Sequence, residues 1–131
     1  MKSLIIEDDY ITSQVMQQIL LPFGSVDVAE NGFKGLELFA TALVNHIEYD
    51  VVFLDIMMPE LDGQQVLTQI RGIEEDYKIL GLDQRVKIIM TTALNDFDNI
   101  KTAFKNQCEG YIVKPIDKDK ITQKIVNLGL A

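Results

Sequence analysis

Five short apolar runs, at residues 4–6, 26–28, 51–54, 86–90 and 111–113, alternate with stretches in which apolar residues recur at helical spacing. Runs of this length match strands, and strict alternation of strand and helix leaves few architectures open. The first, third and fourth runs are nearly continuous in Ile, Leu, Val, Phe and Met, as in parallel strands covered on both faces, whereas Val26-Asp27-Val28 alternates like an edge strand. Between them, Ile11, Val15 and Ile19 mark a first helix that ends at Pro22 and Gly24. Leu36, Phe39 and Leu43 mark a second after Asn31-Gly32, and Val66, Ile70 and Ile73 a third after Asp62-Gly63. Ile100, Ala103 and Phe104 mark a fourth, and Ile121, Ile125 and Leu128 a fifth. The pattern predicts an α/β fold: a five-stranded parallel sheet with right-handed crossovers and helices on both faces.

Composition narrows the function. A chain of 131 residues is one domain, able to bury about two-thirds of its unfolded surface without staples. Lys+Arg 12 against Asp+Glu 20 gives 12 − 20 = −8, which repels a phosphate backbone, so no direct nucleic-acid partner is expected. One cysteine, Cys108, and one histidine, His46, exclude an internal disulfide and a zinc or haem ligand set; both are expected to be packing or surface residues. Met16, Met57, Met58 and Met90 are expected to fill the core or the rim of a site. The opening apolar run is too short for a signal peptide and no stretch approaches the length of a membrane span, so a cytoplasmic location without membrane insertion is expected. Nothing basic, long or Pro-rich follows the last helix, and residues 1–131 are read as one domain without an output domain.

In an open parallel sheet the C-terminal ends of the strands share one edge, and ligands bind there where strand order reverses. The first run leads into Glu7-Asp8-Asp9, the third ends at Asp55, the fourth leads into Thr91-Thr92-Ala93 and the fifth ends at Lys114-Pro115. If the first and third strands are neighbours, Asp8 and Asp55 share a site, and their repulsion calls for a cation. All-oxygen ligation without His or Cys suits Mg²⁺, with Mn²⁺ as an alternative. Beside such an ion Asp55 can act as a carboxylate nucleophile forming an aspartyl phosphate. Lys114 can then meet a phosphoryl oxygen as a point charge and Thr92 can donate to another. Each element also has a plain structural reading: acids after a strand cap helices, Thr-Thr is common at strand ends, and Lys-Pro is a common loop. Asp55 fits that reading least, because a carboxylate closing the run Val51-Val52-Phe53-Leu54 is costly to bury without a partner.

The residues at this edge resemble the receiver domain of two-component response regulators over essentially the whole chain. The most specific stretch is Asp55-Ile56-Met57-Met58-Pro59-Glu60-Leu61-Asp62-Gly63, similar to the family's phosphoacceptor Asp followed by Met-Pro and Asp-Gly. The acidic triplet, Thr92-Ala93 and Tyr111-Ile112-Val113-Lys114-Pro115 follow the family's order. The resemblance implies a flavodoxin-like, doubly wound (βα)5 fold with strand order 2-1-3-4-5. It implies that Asp55 is phosphorylated by a sensor histidine kinase or phosphotransfer protein. Asp8, Asp55 and the backbone carbonyl of Met57 would ligate Mg²⁺, with Glu7 acting through water; both Glu7-Asp8 and Asp8-Asp9 are possible acidic pairs, the former being preferred. Thr92, followed by small Ala93, would be the phosphate-binding and switch hydroxyl, Lys114 the phosphate-binding lysine and Tyr111 the switch aromatic, for which simple packing is the alternative. Gly63 would be structural, and the Lys114-Pro115 bond is expected to be cis. Phosphorylation would draw Thr92 inward, let Tyr111 rotate and reshape the face of the fourth helix, fifth strand and fifth helix for a downstream effector protein.

Catalysis by the domain is then confined to its own phosphorylation and dephosphorylation. Three further readings stand beside it. An aspartyl-phosphate phosphohydrolase would need a second acid shortly after Asp55, where Met57 stands, and a cap insertion. A flavin or nucleotide binder would need a phosphate-cradling glycine loop, and neither G-x-G-x-x-G nor G-x-x-x-x-G-K-[ST] occurs. A phosphorelay intermediate or phosphate sink without effector binding shares the same site. Two departures carry expectations of their own. Residues 71–84 form a long connection, read as an extended third helix with a solvated acidic surface. Met57 and Leu94, two residues after Asp55 and Thr92, are expected to hinder the hydrolytic water and prolong the aspartyl phosphate.

Overall fold

The protein is described by a computed structural model, in which residues 1–77, 85–93 and 96–131 are described. The elements follow in strict alternation: β1 (Lys2–Ile6), α1 (Tyr10–Leu20) with a 3₁₀ turn at Leu21–Phe23, β2 (Ser25–Ala29), α2 (Gly32–Val44), β3 (Val51–Asp55), α3 (Gly63–Asp76), β4 (Lys87–Thr92), α4 (Phe97–Lys105), β5 (Gly110–Val113) and α5 (Lys118–Asn127). Among the described residues five parallel strands form one sheet in the order β2-β1-β3-β4-β5. Strand order therefore reverses between β1 and β3, and a crevice opens at the C-terminal ends of those two strands.

Alternation of side chains across the pleat divides the core into two layers. Leu4, Ile6, Val52, Leu54, Ile88 and Met90 face α2, α3 and α4, where Phe39, Leu43, Val66, Leu67, Ile70 and Ala103 meet them. Ile5, Val51, Phe53, Ile89 and Ile112 face the opposite side, covered by Met16 and Leu20 of α1 and Ile121 and Ile125 of α5. The edge strand β2 alternates between exposed and half-buried positions up to the buried Ala29, whereas β3 is buried throughout.

The phase of α1 differs from the expectation. Ile11 is 72% exposed and Val15 is exposed as well, while Ser13, Met16 and Leu20 form the buried stripe. Ile11 and Val15 share their spacing with Met16 and Leu20, so periodicity identifies the helix but leaves two apolar faces to choose between. In α4, too, only Ala103 is buried, and Phe104 lies at the surface. The third helix does extend to Asp76, but its acidic surface is not all solvated. Glu74 is buried, paired with Arg71 at 2.6 Å and accepting the Val86 N–H at 2.7 Å. Residues 78–84 of that connection lie outside the described residues. Of the expected filler methionines, Met16, Met58 and Met90 are buried, as is Cys108, whereas Met57 and His46 are exposed. Among the described residues no helix is long and apolar enough to cross a membrane.

Of the five α-helices among the described residues, four carry a side-chain cap at the N-terminus, which satisfies first-turn amides that otherwise lack partners. Asp9, Asn31, Asp62 and Asp117 each accept the backbone N–H three residues on, and Asp62 forms a reciprocal capping box with Gln65. Asp96, at the start of α4, makes no such bond.

Candidate functional site

Strand register sets the site. Ile6 pairs with Leu54, Asp55 with Thr91, and Thr92 with Val113. The residues that end or follow these strands, Glu7, Asp55, Thr92 and Lys114, thus emerge along one edge. Asp55 closes β3 and its side chain remains buried, with the Met57 N–H 3.3 Å from its Oδ1. Ile56 N–H bonds Thr91 O at 3.0 Å and Gly63 N–H bonds Ile56 O at 2.9 Å, which docks the start of α3 under the loop. This approach requires glycine: a Cβ on Gly63 would stand 2.2 Å from the Asp55 carbonyl oxygen.

Glu7, Asp8 and Asp55 each offer a carboxylate oxygen within 4.8 Å of the others. Asp9 is turned away to cap α1 through Thr12 N–H at 3.0 Å. Of the two acidic pairs open in the sequence, Glu7-Asp8 is the one gathered around Asp55. Lys114 Nζ lies 2.9 Å from Glu7 Oε1 and 3.3 Å from Asp55 Oδ1. Its backbone is held by a 2.8 Å bond from Lys114 N–H to Thr92 O, and the peptide to Pro115 is cis. Lys120 Nζ braces the same turn by donating to Val113 O at 3.0 Å and Pro115 O at 2.8 Å.

Three carboxylates against one ammonium give −3 + 1 = −2 if all are ionised, in a site where Glu7 is 2% exposed. Burial, reinforced by the neighbouring Asp55, pushes the Glu7 carboxyl up to about 8; Lys114 opposes this without overcoming it. Burial and Asp55 also raise Asp8. Burial alone would lower Lys114, but the hydrogen bond to Glu7 and the Asp55 charge outweigh it and hold the ammonium form. The second Glu7 oxygen, Oε2, is buried with no hydrogen-bond partner. An orphaned buried carboxylate oxygen in an all-oxygen cluster with excess negative charge fits a hard divalent cation.

The other predicted residues among those described lie at the end of β4, on β5 and in the loop after β3. Thr92 is 1% exposed, and its hydroxyl donates to Asp96 Oδ2 at 3.0 Å. Tyr111 is half-buried on β5, edge-on to Phe104 with ring centroids 6.1 Å apart and with the Lys124 ammonium 5.6 Å from its ring centre. Met57 is 65% exposed at the rim, and Leu94 lies outside the described residues. Asp96 and Lys120 were not among the residues anticipated. Asp96 reads in sequence as an ordinary helix cap, and a lysine six positions after Lys114 carries no signal of the turn it braces.

The sequence matches the family model of the response regulator receiver domain over residues 3–126. The chain belongs to the response regulator receiver family. It is therefore a receiver domain of two-component signalling, with a flavodoxin-like fold. The receiver is 31% identical over 127 residues to the chemotaxis protein CheY of Treponema pallidum, covering 95% of this chain and 80% of that protein. It is also 31% identical to the probable transcriptional regulator ycf29 of Porphyra purpurea, covering 95% of this chain but only 54%, about half, of that relative's length. Two solved structures superpose closely. The co-crystal structure of the Saccharomyces cerevisiae phosphotransfer protein Ypd1 with the receiver domain of Ssk1 gives a TM-score of 0.83 at 25% identity, covering 98% of this chain and 88% of that one. The CheX–CheY–BeF3–Mg²⁺ complex of Borrelia burgdorferi gives 0.80 at 27% identity, covering 99% and 90%.

Proposed function

We propose that this receiver accepts a phosphoryl group on Asp55 from the phosphohistidine of a sensor histidine kinase or phosphotransfer protein and thereby changes the face it offers to an effector protein. The observation that carries this reading is the position of Lys114 Nζ, within 3.3 Å of both Glu7 and Asp55 beside a three-carboxylate cluster at the switch point of the sheet. An Asp55 carboxylate oxygen forms the new O–P bond as the donor N–P bond breaks. The bonding pair leaves with the imidazole, which takes up a proton from solvent.

Asp8, Asp55, the Met57 backbone carbonyl and, through water, Glu7 would hold Mg²⁺ (or Mn²⁺), which when bound neutralises phosphoryl oxygen charge. The chain's own groups supply the rest. Lys114 moves its ammonium from the Asp55 carboxylate to a phosphoryl oxygen, and Gly63 and the Met57 N–H keep the nucleophile in place. The Thr92 hydroxyl donates to a further phosphoryl oxygen. The space it vacates allows Tyr111 to rotate from its packing against Phe104, altering the surface of α4, β5 and α5, where Phe97 and Phe104 are exposed. These contacts differ between the two states, as a population shift requires.

The test is transfer from a radiolabelled phosphohistidine donor. Label should move from donor to this chain only with Mg²⁺ present and should not move to Asp55→Asn. Equal labelling of the variant, or transfer undiminished by chelator, would overturn the assignment.

A further inference from the structure

We infer that Asp96 is a positioning residue for the phosphorylation switch, resting on the function proposed above: it holds the Thr92 hydroxyl away from Asp55 in the unphosphorylated chain, and phosphorylation must break that bond. The first observation is a cap that does not cap. Asp9, Asn31, Asp62 and Asp117 have extended backbone and accept a first-turn amide, whereas Asp96 sits at φ −95°, ψ 49° with no cap bond. Its carboxylate is spent elsewhere. Oδ2 accepts the Thr92 hydroxyl at 3.0 Å and Oδ1 accepts the Asn99 side-chain amide at 2.7 Å. The backbone carbonyl of Asn99 in turn accepts Gln64 Nε2 at 2.6 Å, so the tie runs from β4 through the first turn of α4 to the start of α3.

The second observation is stoichiometric. A threonine hydroxyl has one proton to donate. Its other acceptor, the Ala93 carbonyl, lies at 3.3 Å, so the carboxylate at 3.0 Å takes the better and charge-assisted bond. A phosphoryl oxygen on Asp55 and the Asp96 carboxylate therefore compete for the same proton. Each phosphorylation event exchanges one charge-assisted hydrogen bond for another, and the Asp96 bond is subtracted from the gain. Loss of the Asp96 contact also releases the tie between the end of β4 and α4, which couples the chemistry at Asp55 to the helix on the proposed output face. Asp96 touches no reacting atom; it acts through Thr92.

The experiment measures the rate and final extent of phosphorylation by acetyl phosphate with Mg²⁺ in wild type, Asp96→Ala, Thr92→Val and the double variant. Asp96→Ala should raise the extent of phosphorylation about 10- to 100-fold, the scale of one charge-assisted hydrogen bond. In the Thr92→Val background, where no hydroxyl remains to compete for, the same Asp96→Ala change should have little effect. A gain that persists undiminished in that background would mean that Asp96 acts by charge repulsion alone and would overturn the inference, as would wild-type behaviour of Asp96→Ala. A direct readout keeps the two proposals separate. The Thr92 hydroxyl proton should exchange slowly with solvent in the unphosphorylated wild type and quickly in Asp96→Ala. If wild type takes up no phosphoryl group, the function proposed above fails; if it does and the Thr92 hydroxyl exchanges equally fast in both proteins, only the Asp96 assignment fails.

Discussion

Replacing Gly63 by alanine tests how tightly α3 is docked beneath the phosphoacceptor. The new Cβ would stand 2.2 Å from the Asp55 carbonyl oxygen and 2.7 Å from Ile56 Cα. A relaxed carbon–oxygen contact needs about 3.3 Å, so helix and strand must separate by about 1 Å. The 2.9 Å bond from Gly63 N–H to Ile56 O resists this separation. Overpacking of this kind costs about 1–3 kcal/mol, offset by at most ~1 kcal/mol of helix propensity. A net loss of about 1–2 kcal/mol lowers Tm by about 4–8 °C. Displacement by about 1 Å at a nucleophile can slow its reaction up to ~100-fold, so phosphorylation by acetyl phosphate should slow out of proportion to the stability loss. Gly72→Ala is the internal control, because a Cβ there meets nothing within 4 Å. It should stabilise α3 by about 0.5–1 kcal/mol and leave phosphorylation unchanged. Urea denaturation and intact-mass kinetics on both variants supply the measurements. If Gly63→Ala matches Gly72→Ala in both readouts, the close approach is wrong.

Glu7 sets a pH signature. Its folded carboxyl, raised from 4.5 to about 8, contributes stability that is fully present below pH 4.5 and is lost as pH rises towards 8. Metal-free protein should therefore become less stable across that window, by up to several kcal/mol, and Glu7→Gln should flatten the slope. Stability that rises between pH 5 and 8 without metal, or a slope unchanged in Glu7→Gln, would contradict this. Arg71 donates to Glu74, Glu109, Val86 O and Gln107 O at the far end of the sheet. Arg71→Ala strands buried Glu74 and should cost about 3–5 kcal/mol in urea unfolding; a loss below ~1 kcal/mol would show the network to be slack. At the site rim, Met57→Asn should admit water and shorten the life of the phosphorylated form, and a half-life equal to wild type would remove Met57 from that role.

The alternation of apolar runs made the parallel sheet and its central strands legible, because strands buried on both faces read as continuous Ile, Leu and Val, and β1, β3 and β4 do so, whereas the strand order came from the family resemblance. Phase was harder to read than period. In α1 the exposed Ile11 and Val15 imitate a core stripe, and only packing against Phe53 and Ile5 selects Met16 and Leu20. Asp55 was legible because an acid at the end of a buried strand lacks a cheap structural explanation, whereas Asp9 in the same acidic triplet has one and serves as a cap. Asp96 and Arg71 were not legible for the same reason in reverse. A cap residue bonded to a threonine four positions back, and an arginine joining α3 to the loop before β5, acquire their roles from tertiary contacts that no local pattern encodes.

The residue on which a phosphoryl group lands decides whether Asp55 is the phosphoacceptor. Intact-mass analysis after incubation with acetyl phosphate and Mg²⁺ should show one added, acid-labile phosphoryl group on the wild type, placed at residue 55 by borohydride reduction and peptide mapping, and none on Asp55→Asn. An unmodified wild type, or a modification that maps to another residue and survives in Asp55→Asn, would contradict it.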